Sequence, residues 1–446
     1  MNSAFPKNQI TRTVAALAAT AMALTNPTPA FADWTQAHRG ADQNRTVSAS
    51  PIADLPTSPT FATSAGGNLQ AGAPALLWNG RLIAVARTSG STPTVVLKSF
   101  DKSTGAHQWT SPPLDASVNT FSVSSPAVDA ATGKVFYATG TAMYRIDGTS
   151  GALDWTTTMT ATNTDPTSTA RYVITNSSPA LGGGRVFIHT YETSFVGPYT
   201  NAQVVAFDQV SGAVSWFAKV GGVGSTCPIY VGTTTTPLVL AAKANGAGEG
   251  AWTALNAATG ATVWDSTTVA APWTSPNLFW GDAVIAGGKA YAVDYNFSGT
   301  GGTLSRFDVA TGAREYVKPA LTADCPPVLT AAGLHVFGGS YSAPRIATYA
   351  PATGDLVTSA PTGGNVFRQY PAAAGNRLYV AIAGQGVRAY DTVTLAMTGT
   401  SAINTYDGPV TLDDNGALFA PTGTGDTGRI RGWRPLNAVG GWDLYE

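Results

Sequence analysis

The sequence predicts an all-β fold: an eight-bladed β-propeller of four-stranded blades, its ring closed by pairing of N- and C-terminal segments. Three observations predict it. A phrase ending in tryptophan recurs along the chain. A proline that opens a short apolar run recurs in phase with that phrase, at steps of roughly 40 to 50 residues. The 49 glycines and 28 prolines are spread along all 446 residues, so they punctuate many short strands.

The segment before the first unit reads as two pieces. Residues 1–32 have the form of a signal peptide: early Lys7 and Arg12, the short apolar run "VAALAATAMAL" (14–24), and "AFA" at 30–32. Cleavage is expected near Ala32, which leaves an N-terminal extension over 33–58 and the propeller over 59–446. The apolar run is too short to span a bilayer, and no cysteine near the cleavage site offers a lipid anchor. An exported chain, periplasmic or extracellular, is the expectation.

The recurring phrase is clearest in "YRIDGTSGALDW" (144–155), with Asp147, Gly151 and Trp155 at even steps of four. Gly-Thr-Ser-Gly is poor helix material, whereas a turn capped by the aspartate and opened by a positive-φ glycine suits it. In chain order the phrase is Asp101/Gly105/Trp109, Asp147/Gly151/Trp155, Asp208/Gly212/Trp216, Asn256/Gly260/Trp264 and Asp308/Gly312/Tyr316. Later copies erode to Gly354, Asp391 and Trp442 alone. The phase-locked prolines are Pro74, Pro126, Pro179, Pro228, Pro276, Pro326, Pro371 and Pro409. Proline suits the first residue of a strand, where no ladder donor is needed. Each unit then reads as a Pro-led strand, a second strand, a strand ending in Asp and a strand carrying Trp, with the tryptophan packed between blades. "PTFATSAGG" (59–67) and "GGWDLYE" (440–446) compete for the last place in blade eight, and the N-terminal segment, with Phe61 in the tryptophan position, fits better.

The phrase, followed by Ser-Ser-Pro opening the next blade, resembles the pyrroloquinoline-quinone-like β-propeller repeat over residues 59–442. The opening "DWTQAHRG" (33–40) resembles the start of mature members. That superfamily includes quinoprotein alcohol dehydrogenases and the propeller subunit of the bacterial outer-membrane assembly machine. The dehydrogenase resemblance implies a quinone held under a disulfide of adjacent cysteines, calcium ligands and often a C-x-x-C-H haem site. This sequence has only Cys227 and Cys325, far apart, and no C-x-x-C-H. It also has no metal spacing among His38, His107, His189 and His335, no G-x-S-x-G and no Walker loop. "GTGDTG" (423–428) lacks the following helix of a dinucleotide loop and reads as a hairpin. "DDNG" (413–416) reads as a turn rather than a calcium loop. No catalytic residue and no cofactor, neither quinone nor calcium, is expected.

Charged residues are 11% and the net charge is −1, which excludes the basic footprint of a nucleic-acid binder. A binding face is expected where the between-blade loops meet the loops between strands two and three, because the long insertions (156–176, 190–203 and 294–303) fall there. The turns of the opposite face are short and alike, as in "LGGGR" and "AGGK". Candidate binding residues are Arg171, Tyr172, Tyr199, Trp273, Tyr295, Phe367, Arg368, Tyr370, Tyr406 and Asp407, with Phe121 and Tyr191 beside them. Planar rings with arginines and carboxylates suit sugar chains or peptide segments; packing of loops onto blades is the structural alternative. Cys227 and Cys325 hold matching places before inner strands, in blades four and six. Export favours a disulfide, yet two blades of separation puts them roughly 10 Å apart where about 7 Å is the limit, so the bond stays open. The preferred reading is a non-catalytic scaffold for an envelope or extracellular protein or a glycan, as a monomer or a subunit of a larger assembly, with no nucleic acid and no membrane span. The alternatives are a polysaccharide-acting enzyme with a Tyr/Arg/acid site at the ring mouth and a quinoprotein dehydrogenase.

Overall fold

The computed structural model describes residues 46–47, 61–64, 68–69, 73–87, 95–114, 124–168, 178–190, 201–221, 226–244, 248–296, 301–340, 342–366, 370–382, 384–401, 409–422 and 429–433. All lie in the unit Ala32–Glu446, which is distinct from Met1–Phe31. Every element among them is a strand. The strands form eight sheets, the blades of an eight-bladed propeller, each built on four antiparallel strands.

Blade two shows the plan: Ala127–Asp129 innermost, then Lys134–Thr139, Ala142–Asp147 and Leu153–Thr158 at the rim. Inner strands are short and mostly buried, whereas rim strands expose most residues and bury Trp109, Trp216 and Trp264. The hydrophobic core is therefore a ring of interfaces. Trp109, Tyr137 and Ile146 fill the seam between blades one and two, and Trp216, Phe187 and Leu255 the seam between three and four.

The recurring phrase builds what its spacing predicts. Asp147 Oδ1 accepts the Thr149 and Ser150 amides at 3.1 and 2.9 Å, and the Gly151 amide donates to Asp147 O at 2.7 Å. The Trp109 indole N–H donates to Gly148 O of the next blade at 2.9 Å, and Trp216 repeats this on Ala257 O at 3.0 Å. A bulge precedes the turn in each of blades one to seven, for example between Arg145 and Ile146; nothing in the residue types announces it.

Blade eight settles the closure. Its strands Thr411–Leu412, Leu418–Thr422 and Arg429–Trp433 are completed by Phe61–Ser64, Phe61 standing opposite Gly432. The N-terminal segment thus takes the rim position, and "GGWDLYE" lies outside the described residues. Lys102 of blade one pairs with Asp413 of blade eight at 3.2 Å across the same seam. "DDNG" is the turn between two strands of blade eight, with Asp413 Oδ1 accepting the Asn415 amide at 2.9 Å. "GTGDTG" lies outside the described residues, and Thr422 and Arg429 on either side of it are paired.

One expectation is corrected. Pro276 does not open the inner strand of blade five; that strand is Val284–Ala286. The residues between turn back across blades four and five, with Ser275 bridging Gly250 and Leu278 bridging Tyr295. The place just ahead of the strand falls to Asp282 and Ala283.

Candidate functional site at the channel collar

The residue two places ahead of each inner strand forms a collar around the central channel. In blade order these are Pro74, Ser125, Ser178, Cys227, Asp282, Pro326, Tyr370 and Pro409. The short inner strands bring their leading residues together, and hydrogen bonds run from blade to blade. Ser125 Oγ–H donates to Pro74 O at 2.9 Å, and the Ser125 amide to Ser178 Oγ at 2.9 Å. The Ser178 amide donates to Cys227 Sγ at 3.2 Å, and the Cys227 amide to Asp282 Oδ1 at 2.5 Å. Between blades eight and one, Thr411 Oγ1–H donates to Ala75 O at 2.8 Å. All these groups are buried, so each bond satisfies a donor that water cannot reach.

The electrostatics follow from burial. Burial pushes the Cys227 thiol well above its usual range, and the neighbouring Asp282 adds to this. The thiol stays protonated, the opposite of what a nucleophilic or metal-binding thiolate requires. The Tyr370 phenol is likewise pushed up by burial, then by Asp282, Cys227, Cys325 and Asp324. His189, also buried, is lowered to about 4 by desolvation, and its Nε2 lies 3.3 Å from Gly221 O. Phenol, thiol and imidazole are therefore uncharged at neutral pH.

Among the sequence-derived candidates, Arg171, Tyr172, Tyr199, Phe367, Arg368, Tyr406 and Asp407 lie outside the described residues, as do Phe121 and Tyr191. Trp273, Tyr295 and Tyr370 are described, and all three are buried. Trp273 is not at the loop-rich face. Its indole N–H donates to Gly312 O at 2.9 Å, in the short turn of blade five, and Arg314 stacks on it at 5.2 Å. Tyr295 and Asp324 line one cleft with Thr322, Ser340 and Asn365, about 280 Å³ including open solvent. Tyr370 is within electrostatic reach of the same Asp324. The structure thus places Tyr295 and Asp324 at one cleft, Tyr370 in the collar, and Trp273 against the turn of blade five.

Cys227 and Cys325 stand as two buried thiols, with no disulfide between them. They also differ by one place. Cys227 is two residues ahead of its strand, whereas Pro326 and Pro327 push Cys325 to three. Cys325 Sγ faces Val366 O of the next blade at 3.4 Å. Sequence reasoning missed Asp282, Asp324, His189 and Ser178; aligning the repeats on the inner strand would have exposed the collar.

The resemblance implies adjacent cysteines, and here they sit in different blades. Among the described residues no group of three His, Cys, Asp or Glu could hold a metal ion.

The family profile described as "Outer membrane protein assembly factor BamB" matches residues 94–359. The chain belongs to that family. The match to the BamB family spans blades one to six. Among solved structures the fold is shared with BamB from Moraxella catarrhalis, at 16% identity and a TM-score of 0.60, covering 85% of this chain and 98% of that one. It is shared too with quinohemoprotein alcohol dehydrogenase from Comamonas testosteroni, at 14% identity and a TM-score of 0.66, covering 90% and 80%. A computationally designed protein, Ika8, also matches, at 10% identity and a TM-score of 0.52, covering 88% and 99%. At these identities the structures speak for fold alone. No curated protein matches the sequence.

Proposed function

We propose that this chain is an exported, non-catalytic binding propeller of the cell envelope or extracellular space. Its loop-rich face grips a protein or a glycan, and the chain works alone or as a subunit of a larger assembly. The collar is the observation that carries this reading. Its serine, thiol and carboxylate groups are engaged in blade-to-blade hydrogen bonds. A ring built this way is a rigid platform, and recognition is left to loops on its face. Membership in the BamB family supports a protein partner within an assembly. Among the described residues no helix is long and apolar enough to cross a membrane, which suits attachment through partners.

Tyr295 and Asp324 at one cleft favour a second reading, a sugar-acting enzyme that would recruit Arg368. The test is thermal shift of the purified chain against candidate envelope proteins and defined oligosaccharides, repeated with Arg171→Ala, Tyr199→Ala and Arg368→Ala. A shift of several degrees that these variants abolish, without turnover of the ligand, is the expected result. Oligosaccharide cleavage lost in Asp324→Asn would replace this reading with the enzyme.

A further inference from the structure

Thr46–Val47 is a two-residue strand outside the four-strand plan. It pairs in parallel with the innermost strand of blade seven, Thr46 opposite Ala373 and Val47 opposite Ala374. Every other pair among the described residues is antiparallel, including the partner that Ala372–Ala374 already has in Arg377–Ile382. The added strand therefore takes the free inner edge of blade seven, which is the wall of the central channel. It also approaches the innermost strand of blade six, Val328–Thr330.

The sequence of the receiving strand explains why this blade is chosen. Ala372, Ala373 and Ala374 carry the smallest side chains that still favour no turn, and all three are fully buried. A further backbone can approach there at strand spacing. An inner edge left open is a row of backbone donors and acceptors, the template on which extended segments add.

We propose that the segment containing Thr46 and Val47 is an intrachain strap, the resident occupant of a strand-addition site inside the channel. It satisfies the channel-facing backbone of blade seven, ties the N-terminal arm to blades six and seven, and excludes other extended peptides from that edge. The strap acts whatever ligand the loop-rich face takes.

Two measurements on the full chain test it. The first is hydrogen exchange of Thr46→Pro/Val47→Pro, which removes the donors of the strap. The channel-facing amides of Ala372–Ala374 are expected to exchange at least about tenfold faster, while those of Ala127–Asp129 in blade two keep their rate. Unchanged protection at Ala372–Ala374 overturns the strap. The second covers a variant that fails to fold. With Cys227→Ser and Cys325→Ser as background, Val47→Cys with Ala374→Cys is expected to form the dominant disulfide on mild oxidation. The control pair Val47→Cys with Ala286→Cys, facing blade five, stays reduced. Bonding in the control, or none in the proposed pair, overturns the strap.

Discussion

Gly212 and Trp155 meet across a blade boundary, and that contact gives the repeated glycine a second role. Besides its φ of 77°, a Cβ added at Gly151 would sit 2.7 Å from the Trp109 ring, and at Gly212, with φ of 75°, 2.7 Å from Trp155. The glycine of one blade is thus the seat of the tryptophan of the blade before. Gly260 and Gly184 separate the two roles. Both have φ near 73°, but a Cβ at Gly260 meets Trp216 at 2.6 Å, while at Gly184 it meets nothing within 4 Å. Gly184→Ala is expected to lose about 1 kcal/mol from backbone strain alone, and Gly260→Ala to lose about 3 kcal/mol as the clash adds, read as urea midpoints. Leu395 shows the rule by exception. Blade six carries Thr358 where tryptophan would stand, and blade seven answers with Leu395 at a φ of 57°, buried in the adjoining core. Leu395→Gly relieves the strain yet opens a cavity, so a net loss of about 2 kcal/mol is expected.

The buried histidines set the pH response at the same scale. His335 is lowered to about 4 by burial, with Nε2 2.8 Å from Thr330 Oγ1 and Nδ1 3.0 Å from Thr348 Oγ1. His189 is lowered to about 4 as well. In the unfolded chain both protonate near 6.5, so between pH 6.5 and 4 the unfolded state binds more protons. Their contribution is complete above pH 6.5 and falls away as pH drops to about 4, by roughly 3 kcal/mol for each. Asp147, held well below the usual carboxylate range by Lys134, loses its contribution only below the ordinary carboxylate value of 3.8. Denaturant midpoints are expected to decline first in the histidine window, and His335→Gln to flatten that decline.

At the scale of elements, one kind of polar contact ties strands within a blade and another ties blade to blade, and their magnitudes differ. Near the rim, Lys134, Asp147, Asp154 and Arg145 form a network at 2.9 to 3.0 Å, repeated in blade five by Lys289, Asp308, Glu315 and Arg306. These groups are partly exposed, so Asp154→Asn is expected to lose less than about 1 kcal/mol, and less again in high salt. The collar is buried, and removing one acceptor strands a donor. Asp282→Ala removes the carboxylate to which the Cys227 amide donates and is expected to lose about 2 kcal/mol. Asp282→Asn keeps an acceptor and is expected to lose less than half of that, by the same midpoint assay. The strands themselves were legible because proline, apolar run, Asp-x-x-x-Gly and tryptophan each carry a local physical signal. The collar was not. Its residues share a position but no common side-chain chemistry: three prolines, two serines, a thiol, a carboxylate and a phenol. Blade five hid its member further, because Pro276 stands where a strand start was expected and the chain detours before Asp282.

For the whole molecule, the ring is closed by Phe61–Ser64 on Arg429–Trp433 and by the Lys102–Asp413 pair. Phe61 in the tryptophan place favoured the N-terminal segment in the sequence, with "GGWDLYE" left as its rival. The candidate site was only partly legible. Trp273 drew notice as an aromatic near long loops, but its indole serves a blade seam, since one more tryptophan in that insertion looks no different from a ligand platform. Tyr370 was found for its aromatic ring and proves to be a collar residue. The central claim is that a rigid ring presents its loop-rich face to a partner. Site-specific photo-cross-linking tests it most directly, with the reactive group at Tyr199 or Arg368, which the sequence assigns to that face, and at Val210, an exposed turn residue assigned to the opposite face, in the presence of each envelope protein or glycan that shifts the melting temperature. The account predicts adducts from positions 199 and 368 and none from 210; adducts from 210 alone would contradict it.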